Sequence, residues 1–386
     1  MVKNIKSKNT TKSILPPLFT LVGSTVGAGV LALPYVFSRS GFGVGLLFLI
    51  AVYVMTLLLN LSYAEILLQV KGRHQLAGYA QKYFGKRGGM IAVIALLTGA
   101  YGALLAYIIQ VGIFLSVLFP SIPSFYFSII FFCIASFGVM GGVKLFSFLE
   151  TSIVSVFLFL FLIVMVLGVS QIEMQHYLTI GQSFEDLLIP FGVLLFAFSG
   201  YSVIPELGEM TKYDSRTLKN VVFGGTSLVA CVYLLFATII LGITGGNTSQ
   251  DAITGLFSHF NVWIVRISIV VAVLSMSTAF VSLGHVLRDM FENDLGLNKR
   301  LGWLLAVIPA LLLFLPGKAG FVHVLEVSGG ITVGLSGVLL FLMYLMIAKK
   351  NKKEVYHILN LPRWIVYLVM FIFAGGIVYE VLRGLL

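Results

Sequence analysis

Residues 23–34 read GSTVGAGVLALP and fall inside the first long apolar run of the chain. Lipid offers no partner to a stray backbone N–H or C=O, so a membrane span is expected to be one continuous helix. Here Gly23, Gly27 and Gly29 interrupt the middle of the run, with the hydroxyls of Ser24 and Thr25 beside them. Each glycine weakens a helix by roughly 1 kcal/mol relative to alanine. Three of them at mid-depth predict a helix broken into two halves whose ends meet near the bilayer centre. The freed N–H groups would face an anion and the freed carbonyls a cation. Small residues recurring every three or four positions also serve close helix packing. This stretch alone is compatible with both.

The surrounding sequence sets the class. The chain has 386 residues, 59% hydrophobic and 10% charged, with a mean hydropathy of +1.04. That predicts an all-α polytopic membrane protein with the lipid bilayer as its surroundings. Eleven transmembrane helices are expected, at 14–37, 43–68, 90–118, 125–140, 146–169, 187–207, 218–243, 262–287, 301–315, 321–347 and 364–385. A net charge of +10 would point to nucleic acid in a soluble domain. Here the charge follows the loops, and no nucleic-acid partner is expected. With the basic tail 1–13 cytoplasmic, the inside loops collect Lys71, Arg73, Lys82, Lys86, Arg87, Lys144, Lys212, Arg216, Lys219, Arg288, Lys299 and Arg300. The cluster from Lys349 to Lys353 and Arg363 joins them, leaving only Arg39, Arg266, Lys318 and Arg383 on the other side. The positive-inside rule then places the N-terminus in the cytoplasm, and an odd span count places the C-terminus outside a plasma (inner) membrane.

Smaller features carry less. The first run is too long for a signal peptide and lacks a small-residue cleavage site. Cys133 and Cys231 fall inside spans without metal or redox spacing and read as packing residues. The basic, aromatic segment 71–89 is expected to lie as a loop along the cytoplasmic interface. Asn247-Thr248-Ser249 matches a glycosylation acceptor, a pattern too short to carry an argument.

The sixth span is the second interrupted one. Residues 190–210 read PFGVLLFAFSGYSVIPELGEM, with Ser199 and Gly200 at the middle and Pro205 shortly after. Pro205 lacks a backbone donor and disfavours helix at Ile204. Breaks in the first and sixth spans predict an inverted repeat of two five-span halves with a binding site between them; the plainer alternative is a proline kink. In the eighth span, Ser268, Ser275, Thr278, Ser282, His285 and Asp289 are spaced to share one helix face. Such a face points at protein or water rather than lipid. Its hydroxyls would complete a cation site or simply bond a neighbouring helix.

Four segments in this order resemble a known family. GSTVGAGVLALP, FAFSGYSVIPEL at 196–207, STAFVSLGHVLRDMF at 277–291 and FLPGKAGFVHVLEVSGG at 314–330 are similar to the bacterial hydroxy and aromatic amino acid permeases. These belong to the amino acid/auxin permeases of the amino acid–polyamine–organocation superfamily. The resemblance spans the whole chain. It implies the leucine-transporter-like fold, with discontinuous first and sixth helices and repeats at 14–170 and 187–347 followed by an eleventh span at 364–385. It also implies cation-coupled symport of amino acids, aromatic or other neutral ones, by alternating access.

Carried onto this chain, the resemblance places the substrate carboxylate on the amides of Gly27, Ala28 and Gly29. Carbonyls near Gly23 and Ser24, with those near Phe196 and Ala197, would hold the ammonium, next to Thr25. Phe198, Ser199, Gly200 and Tyr201 would line the side-chain pocket, with Tyr101 or Tyr107 as a lid. Carbonyls of Gly23 and Val26 with hydroxyls of Ser277 and Thr278 would match the sodium site of sodium-coupled members. Ser277 lies off the main polar stripe.

The coupling ion is H+ or Na+. Some proton-coupled relatives place a lysine of the fifth span at the sodium position, but residues 145–211 contain no Lys or Arg. A proton carrier then needs an interior carboxylate. Glu65, Glu206 and Glu326 are the candidates for proton coupling, with His323 three residues from Glu326 on one face. For each, a structural hydrogen bond is the alternative. No metal site, enzyme chemistry or further cofactor is expected, and no phosphate-binding glycine loop is present. A ligand sensor on the same fold and an ion channel are the competing classes; the short tails and the absence of a repeated pore loop count against them.

Overall fold

The computed structural model describes residues 14–69, 74–141, 156, 159–160, 162–178, 180–181, 183–294, 296–348, 358–359 and 361–385. The tail 1–13, the first part of the expected fifth span, and the basic stretches around Lys71, Lys144 and Lys350 lie outside the described residues.

Among the described residues the protein is all-helical, apart from one isolated bridge between Gly41 and Ile180. The first run forms α1 (Leu15–Thr25) and α2 (Gly29–Ser40), bent by 58° across the glycine stretch. Then come α3 (Phe42–Gln69), α4 (Leu76–Leu118), α5 (Ser124–Met140) and the short α6 (Leu162–Gln171). The second half gives α7 (Phe184–Ala197), α8 (Ile204–Met210), α9 (Ser215–Thr244), α10 (Val262–Asp289), α11 (Lys299–Phe314), α12 (Phe321–Ala348) and α13 (Arg363–Leu385). Seven described helical stretches are long and apolar enough to cross a membrane, eight with the bent pair counted as one span, and α5 and α6 are shorter apolar helices. The protein is a multi-pass membrane protein.

The packing falls into two groups. One gathers α1 and α2 with α3, α7, α8 and α9; the other gathers α4, α5, α10 and α11. α12 joins them, packing on α4 and α7, and α13 lies on its outer side. Polar side chains satisfy exposed helix ends where the groups are pinned. His285 Nε2 bonds Gly141 O at 2.7 Å, and Arg288 donates to Val139 O and Met140 O at 3.1 and 3.2 Å. These groups cap the carbonyl end of α5, which has no further turn to bond and carries partial negative charge. Within the polar stripe of α10, Thr278 and His285 are buried, His285 serving structure at the end of α5, whereas Asp289 is exposed.

Three local expectations change. Ile204 is helical (φ −53°, ψ −41°), because Pro205 sits in the first turn of α8, where its missing N–H has no acceptor to lose. The described part of segment 71–89 is helix from Leu76 rather than loop, broken only at Gly85, whose φ of +66° a side chain would resist. Cys133 and Cys231 are exposed on α5 and α9 rather than packed inside; as small apolar groups they suit a lipid-facing surface equally well.

Candidate functional site

The two interruptions differ in kind. After Thr25 the backbone turns extended at Val26 (φ −77°, ψ 92°), and α2 restarts at Gly29. Val30 N bonds Gly27 O at 3.2 Å and Leu31 N bonds Ala28 O at 3.1 Å. The amides of Gly27, Ala28 and Gly29 precede these bonds and have no intrahelical acceptor. In the sixth span Phe184–Met210 forms one apolar stretch long enough to cross a membrane. Its α-helical ladder stops at Ala197, Gly200 N bonds Phe198 O at 2.7 Å, and a 3-10 turn over Gly200–Val203 leads into α8. The interruption expected at Ser199 and Gly200 is present, filled by this tightened turn. It leaves carbonyls without ladder partners.

The two interruptions lie against each other. A Cβ built on Gly29 would stand 2.9 Å from Ala197 Cα, and one built on Gly200 would run into Thr25 Oγ1. Gly29 admits the Ala197 backbone and Gly200 the Thr25 side chain, and neither leaves room for a Cβ. Gly23 and Gly27 differ: a Cβ on either would meet nothing within 4 Å. Thr20 and Gly23, half-exposed, and Ser24, exposed, share one open face of α1, and Gly27 is exposed in the break that follows. Ser202 and Glu206 are exposed on the sixth span, whose 3-10 turn and α8 both pack on α1. Small polar residues on open faces of two mid-bundle helices fit an aqueous route better than lipid.

A residue that sequence reasoning did not single out joins the two interruptions. Tyr233 of α9 is fully buried, and its hydroxyl lies 2.9 Å from Thr25 O and 2.7 Å from Ala197 O. It donates to the carbonyl ends of both α1 and α7. Its ring meets Phe198 edge-on, with centroids 5.0 Å apart. One tyrosine in a 30-residue apolar helix gives no periodic signal; only the neighbouring carbonyls identify it. The Ala197 carbonyl assigned to the substrate ammonium is thus already hydrogen-bonded.

The other expected residues separate into those at the break and those elsewhere. Phe196 and Ser199 are half-buried beside it, and Phe198 is buried. Tyr201 is buried with its hydroxyl 2.9 Å from Ser336 Oγ of α12. Ser24 and Thr25 turn their hydroxyls back onto Leu21 O, at 3.0 and 2.6 Å. Tyr101 donates to Leu305 O of α11 at 2.7 Å, so its hydroxyl ties two helices together rather than covering the break. Ser277 bonds Val273 O at 2.6 Å and Thr278 bonds Ser275 O at 2.9 Å, both on their own helix. α10 packs mainly on α4, α5 and α11, whereas α1 packs on α9 and α8. The hydroxyls and the carbonyls of Gly23 and Val26 therefore stand on elements with different neighbours.

The three carboxylates have three different surroundings. Glu65 is 1% exposed and accepts from Leu359 N at 2.9 Å, holding the chain before α13. Glu206 is exposed rather than interior, at a cavity of about 300 Å³ lined also by His74, Gln75, Tyr79, Glu209 and Tyr213. Glu326 is 1% exposed and ion-paired with Arg383, with His323 Nδ1 3.9 Å away as the spacing predicted. At the end of α7 where the chain enters it, Arg39 and Asp186 form an ion pair at 2.7 Å that ties α2 to α7.

The sequence model of the tryptophan/tyrosine permease family matches residues 10–381. Tyrosine-specific transport system 1 of Haemophilus influenzae is 24% identical over 328 residues, spanning 80% of this chain and 82% of that one. Glutamine transporter 2 of Aliivibrio fischeri is 23% identical over 357 residues, spanning 88% and 91%. Among solved structures, MhsT in complex with L-phenylalanine superposes with a TM-score of 0.58 at 13% identity, covering 96% of this chain and 98% of that one. That likeness speaks for the fold alone.

Proposed function

The chain belongs to the tryptophan/tyrosine permease family of membrane transporters, which are not enzymes, and from that membership we propose that it is a symporter for aromatic or other neutral amino acids. Transport is coupled to H+ or Na+ and proceeds by alternating access. The observation that carries this reading is the meeting of the two interruptions. Amides without an intrahelical acceptor at Gly27–Gly29, with open space at Gly27, lie beside the carbonyl ends of α1 and α7, whose Thr25 and Ala197 oxygens keep a second lone pair beyond the contact with Tyr233. Amide ends favour a carboxylate and carbonyl ends an ammonium, so the pair is complementary to a zwitterion.

The two packing groups give the moving parts. α1, α3, α7, α8 and α9 would rock against α4, α5, α10 and α11 around a fixed central site, within a five-plus-five inverted repeat at 14–170 and 187–347. The basic loops favour a cytoplasmic N-terminus in the plasma membrane. Tyrosine transport by the Haemophilus relative favours an aromatic substrate.

The test is accumulation of labelled L-tyrosine, L-phenylalanine and L-tryptophan by proteoliposomes under imposed proton or sodium gradients. Gradient-driven accumulation of at least one is expected. Saturable binding without accumulation would replace the symporter with a sensor.

A further inference from the structure

A second group of charged side chains lies away from the break, in the seam where α7, α12 and α13 meet. Glu326 and Glu380 are each 1% exposed. Arg383 forms its ion pair with Glu326 through Oε1. Glu380 lies across Gly330, one helical turn beyond Glu326 on α12; a Cβ there would stand 2.6 Å from Glu380 Cγ. Two buried carboxylates thus stand in a seam with one guanidinium, which bonds Glu326. The other titratable groups facing them are His323 on α12, Tyr379 on α13 and Glu185 at the exposed start of α7.

The charge balance of this seam is incomplete without a proton. With both carboxylates ionised it carries one uncompensated negative charge, and a charge inside a span costs about 3 kcal/mol on insertion scales. Glu326 Oε2, Glu380 Oε2 and Tyr379 OH are all buried without a hydrogen-bond partner among the described residues. An ionised carboxylate only accepts hydrogen bonds, whereas a protonated one also donates. A single proton on one of the two carboxyl groups neutralises the seam and gives one orphaned oxygen a hydrogen to offer.

We propose that Glu326, Arg383 and Glu380 form a proton-binding site that couples proton uptake to transport, with Glu380 as the carboxyl group that exchanges the proton. The proposal rests on the symport reading and assigns its ion. Access comes from the end of the bundle where His323 and Arg383 are partly exposed, which the basic-loop rule assigns to the outside. The route to the centre is backbone contact. Gly192 of α7 abuts the Glu326 backbone, and a Cβ on Gly329 would stand 2.6 Å from Phe196 N. No side chain cushions these contacts, so a displacement of α12 passes directly to the turn before Ser199 and Gly200.

Proteoliposomes holding the full chain and Glu380→Gln test this with labelled L-tyrosine. Accumulation driven by an inside-alkaline gradient is expected to fall roughly tenfold or more, with tyrosine counterflow at equal pH retained. Unchanged gradient-driven accumulation in the variant would overturn the proposal. If Glu380→Gln fails to insert, infrared spectroscopy of the wild type decides. A protonated carboxyl stretch at neutral pH that shifts in Glu380→Asp supports the site; its absence overturns it. Failure of wild-type counterflow would sink the transport reading instead, and the infrared result would still decide the proton site.

Discussion

Gly29 of α2 and Ala197 of α7 meet backbone to backbone, close enough that a Cβ on the glycine would stand 2.9 Å from the alanine Cα. This contact brings the amide end of one half-helix beside the carbonyl end of another, and the proposed substrate site depends on it. Gly29→Ala must push the two spans apart, because the atom in the way is backbone and cannot rotate aside. Overpacking of this kind costs about 1–3 kcal/mol. Lower thermal stability in detergent and strongly reduced uptake are expected together.

Gly27 gives the opposite combination. A Cβ there meets nothing within 4 Å, so Gly27→Val should insert and melt close to the wild type. The same side chain would occupy the space before the unsatisfied amides, and uptake should fall roughly tenfold or more. Retained uptake with normal insertion would count against the assigned carboxylate position.

Tyr233→Phe keeps the ring on Phe198 but removes the hydroxyl shared by Thr25 O and Ala197 O. Leaving a buried acceptor unsatisfied costs about 1–3 kcal/mol. The melting temperature should drop and uptake should slow, whereas Tyr101→Phe, whose partner is Leu305 of α11, should affect stability more than substrate affinity. Paired melting curves and uptake kinetics distinguish the two tyrosines.

Much of this was legible in the sequence, for identifiable reasons. Apolar runs fix membrane class because lipid forbids alternatives, and the glycine triplet offered a break or close packing, both of which occur: the helix stops at Thr25 and Gly29 packs on Ala197. The spacing rule also placed His323 beside Glu326. Ser199 and Gly200 marked the second interruption, where α7 ends, whereas Pro205, expected to disfavour helix at Ile204, does no harm in the first turn of α8. Tyr233 and Glu380 went unseen because their neighbours lie on other helices, Thr25 of α1 and Ala197 of α7 for the first and Gly330 of α12 for the second, and no local pattern encodes that.

Glu65→Gln separates structure from coupling. Glu65 accepts from Leu359 N, so the amide should lower stability by about 1–3 kcal/mol. The proton dependence of uptake should stay unchanged. A lost proton dependence would move the coupling site from the outer seam to α3.

The most direct measurement of the central claim is alkylation of Ser24→Cys, in a background with Cys133 and Cys231 replaced by serine, with and without whichever aromatic amino acid the vesicles accumulate. Ser24 is exposed on the open face of α1 beside the break, so the thiol should react from the aqueous route. Substrate at ten times Kd should slow that reaction about tenfold. Alkylation at the same rate with saturating substrate would contradict binding of the zwitterion between these two helices.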